Sequence, residues 1–134
     1  MIFLIRIVPV VLVMGTIFFL SHQSGDTLVL PSFPGADKLA HMTAYAVLAL
    51  TVLWGFGKKG MERQGRTLFI TVLFCLLYGV TDEYHQSFIP HRSVSVFDIL
   101  ADTAGAFGLC IMWLKNPELQ QKLMRFQKLL LKWL

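Results

Sequence analysis

Carboxylates, histidines and an arginine are concentrated in one part of this chain, between two long apolar runs and into the second of them. The stretch contains Asp82, Glu83, His85, Gln86, His91, Arg92 and Ser93, followed by Asp98 and Asp102. Carboxylates and histidines can transfer protons or hold a divalent metal ion, and a planar guanidinium suits a phosphate or a carboxylate. Ionisable groups in or beside membrane-length segments are costly unless they are paired, hydrated or used, so we take them as functional candidates.

The composition of the chain predicts a membrane protein. Of its 134 residues, 55% are hydrophobic and only 15% are charged, and the mean hydropathy is +0.62. A soluble domain carries about 25% charged residues. We therefore predict one small membrane domain that covers residues 1–134.

Four apolar runs have about the length that a membrane-spanning helix needs. We predict spans at about 2–20, 38–57, 66–84 and 96–114. The third run is long enough only when Asp82 and Glu83 belong to the end of its helix. No run alternates between apolar and polar residues as a barrel strand does, so the predicted fold class is all-α, an integral membrane four-helix bundle.

The first run could instead be a cleaved signal peptide, but no A-x-A cleavage pattern follows Leu20, which favours a retained helix.

A fifth helix is predicted at about 117–134. Asn116 and Pro117 are typical of a helix start. Apolar residues then follow at spacings of four, three, four and three, namely Leu119, Leu123, Phe126, Leu130 and Trp133. This pattern predicts an amphipathic helix that lies in the membrane interface, and docking on a partner helix is the alternative.

The basic residues predict the orientation of the bundle. Ten of the twelve Lys and Arg residues fall near the N-terminus, in the loop Lys58–Arg66 or after the fourth span. The positive-inside rule then places both termini in the cytoplasm and the polar stretch outside. The net charge of +4 is thus a topology signal, and we expect no nucleic-acid partner.

Three predicted spans carry polar stripes at the same membrane depth. Lys38, His41 and Tyr45 share a face of the second span. On the third, Asp82 and Gln86 share a face, and Glu83 is turned by about 100°. Because buried polar groups must be satisfied, we expect these stripes to surround a hydrated pocket together with groups from the fourth span. The catalytic candidates are His41, Asp82, Glu83 and Asp102. The ligand-binding candidates are Lys38, Tyr45, Gln86, Arg92, Ser93 and Asp98.

The chemistry of this pocket has several interpretations. His41 or His85 could act as a general acid or base. A divalent metal could instead be held by His41, Glu83 and Asp102, which approach from three helices. A polar network that only locks the helices together is the structural alternative. The sequence has no H-E-x-x-H, G-x-S-x-G or Walker motif and identifies no cofactor.

Small residues and cysteines in the spans are interpreted as packing groups. The small-xxx-small pairs 101/105 and 104/108 would let a neighbouring helix approach the fourth span closely. Cys75 and Cys110 have no C-x-x-C spacing, and we predict that they stay free.

The ordered polar residues resemble those of the VanZ-like family of small bacterial membrane proteins. The resemblance extends from Asp37 to about Leu114 and rests on Asp37-Lys38-x-x-His41-x-x-x-Tyr45, Asp82-Glu83-x-x-Gln86, Pro90-x-Arg92, Asp98 and the pair Gly105/Gly108. The family takes its name from a teicoplanin-resistance protein. This chain departs from its pattern at His91, where glycine is common, and at Asp102, where asparagine is common.

The resemblance implies a protein of the bacterial cytoplasmic (inner) membrane. We expect it to bind or modify an anionic lipid or lipid-linked envelope component at an outward-facing site, with a link to glycopeptide resistance. The rival hypothesis is a non-catalytic membrane scaffold that organises a partner. A small transporter is less favoured, because the inner halves of the spans contain almost no polar residue beyond Arg6.

The orientation can be tested by labelling intact cells. A cysteine placed at Gln64 should be shielded from an impermeant thiol reagent, whereas a cysteine at Ser24 should react. The reversed pattern would overturn the predicted orientation.

Overall fold

The computed structural model describes residues 2–27 and 33–133, which form five helices and, within those ranges, no strand. The helices are α1 (Ile2–Ser21), α2 (Ala36–Glu62), α3 (Gln64–Gln86), α4 (Val96–Lys115) and α5 (Pro117–Trp133). The first four are long and apolar enough to cross a membrane. The all-α fold class with four spanning helices is therefore confirmed. The predicted last residue of α5, Leu134, lies outside the described residues.

The basic segment that the sequence predicts as a loop is almost entirely helical. Helix α2 continues past the predicted end of its span to Glu62, and only Arg63 separates it from α3. The apolar pattern ends near Gly57, where α2 kinks with φ 59° and ψ −152°. Glycine adopts this backbone conformation at little cost, and a Cβ there would also lie 2.8 Å from Nη2 of Arg6. Hydropathy thus detected the apolar part of the helix and missed its polar continuation.

Helix α2 is central to the bundle, because it packs against all four other helices and most extensively against α4. The close approach of α2 and α4 depends on Gly105, where a Cβ would overlap the backbone of Met42. Ala101 is buried on the same face of α4, whereas Ala104 and Gly108 are exposed. Only the first of the two predicted small-residue pairs therefore lies at this helix interface.

The apolar core fills the middle of the bundle. Its fully buried side chains include Leu48 and Ala49 of α2, Cys75 of α3 and Ala106 of α4. Both cysteines are free and buried, as expected. Large apolar side chains point outward on every spanning helix, as a surface in contact with lipid requires. Examples are Val11, Phe19, Val47, Phe69, Leu77 and Phe107.

The two ends of the bundle differ in chemistry. The basic end comprises the start of α1, the junction of α2 and α3, and α5. The polar end comprises the end of α1, the start of α2, the end of α3 and the start of α4. Helix α5 is fixed at the basic end by two buried glutamines. Nε2 of Gln127 donates to the carbonyl of Trp54 at 2.8 Å, and Nε2 of Gln120 donates to that of Trp113 at 2.6 Å.

The predicted apolar stripe of α5 is divided by this docking. Leu123 packs against the core cluster at the basic end, whereas Phe126 is exposed. The helix itself is confirmed. Its position in the membrane interface stays a prediction, which the exposed Phe126 and Leu129 side chains favour.

Gly105 and Gly108 offer a matched test of the α2–α4 contact. Gly105→Ala should destabilise the fold by about 1–3 kcal/mol, because its methyl group must displace the backbone of α2. Gly108→Ala has no neighbour within 4 Å to displace. That change should be neutral or stabilise the helix by up to about 1 kcal/mol. Thermal unfolding in detergent measures both, and equal effects of the two substitutions would contradict this packing.

Candidate functional site

Four buried carboxylates lie together at the polar end, and we call them the carboxylate cluster. The exposed fractions are 4% for Asp82, 2% for Glu83, 5% for Asp98 and 0% for Asp102. Each contacts a polar group of another part of the bundle. The polar stripes predicted on three spans therefore do face one another.

The second span reaches the cluster through two side chains of α2. Nδ1 of His41 lies 2.9 Å from Oδ1 of Asp102, and Nζ of Lys38 forms an ion pair with Asp98. Lys38 also lies 2.9 Å from Asp37, at the more exposed rim. Asp102 fits between the helices because α3 has a glycine there, since a Cβ on Gly79 would lie 2.9 Å from Oδ2 of Asp102.

The two acidic residues of α3 face different neighbours. Oδ2 of Asp82 accepts hydrogen bonds from the Ser21 hydroxyl at 2.9 Å and from Gln86 at 3.1 Å. Oε2 of Glu83 accepts from the backbone N–H of Ser95 at 3.0 Å, immediately before α4. Successive helical residues point about 100° apart. This angle sends Asp82 toward α1 and Glu83 toward α4.

Several buried polar atoms of the site have no hydrogen-bond partner among the described residues. They are Oδ1 of Asp82, Oε1 of Glu83, Oδ2 of Asp102 and the hydroxyl of Tyr45. Buried polar atoms are seldom left unpaired in proteins. The site therefore has unused capacity to bind water, a proton, a metal ion or another ligand.

Arg92 holds the loop between α3 and α4 against the end of α1. Its Nε donates to the carbonyl of Gln23 at 3.1 Å, and its Nη2 donates to that of Leu20 at 2.8 Å. The last carbonyls of a helix lack partners within the helix, so Arg92 caps α1. The preceding residue, His91, has φ 59°. This left-handed conformation favours glycine, so the backbone at His91 is one that a residue with a side chain seldom adopts.

Two cavities open beside the cluster. A polar cavity of about 150 Å³ is lined by Arg92, Ser93, His41 and Asp98, among others. A second cavity of about 230 Å³ shares His41 and Arg92 with it but also has apolar walls, and we call it the amphipathic cavity. A wider crevice of about 520 Å³ runs between α1 and α2. It shares four lining residues with the amphipathic cavity, namely Ile17, Leu20, Ala40 and Ala44.

The structure thus brings together most residues that the sequence predicts for the site. Tyr45 and Gln86 line the amphipathic cavity with Asp82. His85 lies apart, with Nε2 3.2 Å from Nδ1 of His22 and its ring beside Phe18. Sequence reasoning missed Ser21 and Gly79, because neither a serine at the end of an apolar run nor a lone glycine signals its partner on another helix.

The structure groups a different set of potential metal ligands from the set that the sequence proposes. Potential ligand atoms of His41, Glu83 and Asp98 lie within 4.8 Å of one another. Asp102, which the sequence proposes as a ligand with His41 and Glu83, is instead hydrogen-bonded to the Nδ1 nitrogen of His41. Position along the helix axis decides this difference, since Asp98 and Asp102 lie one turn apart on the same face of α4.

Comparison with known proteins identifies the same family that the polar residues of the sequence resemble. The sequence profile of the VanZ/LLP1 family matches residues 6–116. A protein of the fission yeast Schizosaccharomyces pombe, named only as uncharacterized protein C11E3.10, is 31% identical over 90 residues, which are 66% of this chain and 52% of that protein. The chain thus spans about half the length of this relative. No solved structure matches the chain.

Two Asp–His pairs allow a matched test of what the cluster contributes to stability. Breaking a buried pair by Asp102→Ala should cost about 3–5 kcal/mol, because it leaves His41 unpaired. Asp26→Ala removes an exposed contact with His91 at 3.5 Å, which should cost about 0–1 kcal/mol. Denaturation of both variants in detergent measures the difference. A stable Asp102→Ala protein would show that the pair does not hold α2 to α4.

Proposed function

Because this chain belongs to the VanZ/LLP1 family and is a multi-pass membrane protein, we propose that it binds or modifies an anionic lipid or lipid-linked envelope component. The proposed binding site is the polar end of the bundle, on the outer face of the bacterial cytoplasmic membrane, with both termini in the cytoplasm. The proposal keeps the orientation that the distribution of basic residues predicts.

The observation that carries the proposal is the continuity between the crevice and the amphipathic cavity. The crevice has apolar walls from both helices, including Val13, Val47 and Leu39. The amphipathic cavity that adjoins it ends in polar side chains, including Arg92 and His41. An apolar groove that leads to a few convergent polar groups suits a ligand with a hydrocarbon chain and a polar head.

Two cations of the site favour a negatively charged head. Arg92 uses two of its five N–H groups on the backbone carbonyls of Leu20 and Gln23, so the guanidinium keeps donors for a phosphate or a carboxylate. Lys38 lies at the rim with its side chain 34% exposed. Arg92 lines the amphipathic cavity, so an anionic head bound in this cavity would lie near a cation.

The proposal has a second form, in which the protein not only binds the ligand but also modifies it. His41 is held by Asp102 through Nδ1, which leaves Nε2 to accept or donate a proton. An imidazole oriented by a carboxylate is a common general base.

A link to glycopeptide resistance belongs to the same proposal, and the teicoplanin sensitivity of cells with and without this chain tests it.

A structural scaffold is the second candidate function. It is supported by the bonds of the cluster, since each buried carboxylate already contacts another part of the bundle. In this case the polar end would fix the arrangement of the helices, and a protein partner would bind elsewhere. The scaffold function predicts that blocking the crevice has no effect on lipid binding.

A substitution in the crevice distinguishes the two functions. Ala40→Phe should fill the crevice and lower the binding of phosphatidylglycerol and of a polyprenyl phosphate at least tenfold. Native mass spectrometry of the protein released from detergent measures binding, with phosphatidylcholine as the neutral lipid. The control is Ala104→Phe, an equal change at an exposed position of α4 that lines neither cavity.

Both variants should fold, because Ala40 and Ala104 are exposed. Equal binding by both variants, or equal binding of the anionic and the neutral lipids, would contradict lipid recognition and leave the scaffold function in place.

A further inference from the structure

We propose that His41, Glu83 and Asp98 bind a divalent metal ion at the polar end, and that this ion receives the anionic head of the ligand. The second clause rests on the proposed function, whereas the metal site itself does not. The three ligands come from three different helices, α2, α3 and α4.

The spacing of the ligand atoms suits a metal ion. One potential ligand atom from each of the three residues lies within 4.8 Å of the other two. Ligands on opposite sides of a divalent ion are about 4–5 Å apart, given metal–ligand distances of about 2.0–2.6 Å. One imidazole nitrogen and two carboxylate oxygens form a donor set that zinc and manganese accept. Three protein ligands also leave a coordination position open for a phosphate oxygen.

The bonds around the three residues leave suitable atoms free. Ser95 occupies Oε2 of Glu83, and Oε1 is buried without a hydrogen-bond partner in the described part of the chain. Lys38 contacts Oδ1 of Asp98, which leaves Oδ2. Asp102 contacts Nδ1 of His41, which leaves Nε2. With the ion bound at Nε2, His41 is a metal ligand and does not act as the general base, so the metal site goes with the binding form of the proposed function. A carboxylate behind a metal-binding histidine fixes the ring and raises its basicity, so Asp102 is a positioning residue.

The charge balance of the polar end also favours a bound cation. The carboxylate cluster contributes four negative charges when ionised. Among the described residues, Lys38 is the lysine bonded to it, although Lys38 is shared with Asp37 at the rim, and Arg92 lines the adjoining cavity. At least two negative charges then stay uncompensated, which is unfavourable in a buried place. A divalent ion neutralises two of them. It also removes the repulsion that an anionic lipid head would meet from the carboxylates.

Metal titration of the purified chain tests the proposal. After treatment with a chelator and its removal, the protein should bind one equivalent of Zn²⁺ by calorimetry or of Mn²⁺ by electron paramagnetic resonance. Glu83→Gln and Asp98→Asn should each weaken binding by 100-fold or more. Asp102→Asn should weaken it by about 10–100-fold, as other carboxylates behind metal-bound histidines do. Glu62→Gln, an exposed change at the basic end, should leave binding unchanged.

Folding is monitored by circular dichroism for every variant. Should Glu83→Gln fail to fold, Asp98→Asn and His41→Gln supply the same comparison. Wild-type protein that is folded but binds no stoichiometric metal would overturn the site. Undiminished binding by folded Glu83→Gln or Asp98→Asn protein would overturn it as well.

Lipid binding with and without chelator separates this inference from the proposed function. We expect binding of a polyprenyl phosphate to fall at least tenfold when the metal is removed. Lipid binding that is unaffected by the chelator would overturn the role of the metal and keep the proposed function. Stoichiometric metal binding without lipid binding would confirm the metal site and overturn the proposed function.

Discussion

The need to pair carboxylates away from water is the constraint on which the polar end of this bundle depends. An unpaired charge in a low-dielectric interior is strongly unfavourable. Asp102, which has no exposed surface, satisfies part of this need through His41 of α2. Asp98 does so through Lys38. These two pairs join the same two helices, which are also the pair in most extensive contact. The rotation of α2 against α4 is therefore fixed by polar groups at one end.

Close backbone packing is the second half of this arrangement. Polar pairs between helices form only when the helix axes come close, and small residues allow that approach. Gly105 brings α4 against the backbone of Met42, and Gly79 leaves room for Asp102. The glycines and the carboxylates depend on one another, because a larger residue at either glycine would displace the groups that neutralise the buried charge. Structural and functional roles are thus carried by the same few residues.

Several hydrogen-bonding atoms of the cluster have no partner among the described residues. We therefore favour a ligand-binding site over a purely structural polar network. A polar network that serves only to join helices is most stable when every member is satisfied. Here oxygens of three buried carboxylates and the Tyr45 hydroxyl have no partner among the described residues. Two of these groups, on Asp82 and Tyr45, belong to residues that line the amphipathic cavity, which shares walls with the apolar crevice between α1 and α2. The proposed lipid and the proposed metal ion each account for a different part of this unused capacity.

The sequence by itself determined the five helices, the all-α class and the family, because apolar runs, helix-start residues and ordered polar residues are local features. It also determined that polar stripes on three spans lie at one depth. Only the tertiary structure decided the partners: Arg92 caps α1, Asp102 supports His41, and Asp98 rather than Asp102 completes the group of three possible metal ligands. These outcomes depend on how each helix is rotated and shifted along its axis against its neighbours. The arrangement is set by contacts such as those of His41 with Asp102 and of Arg92 with Leu20, which join residues more than 60 positions apart, and no local pattern contains it.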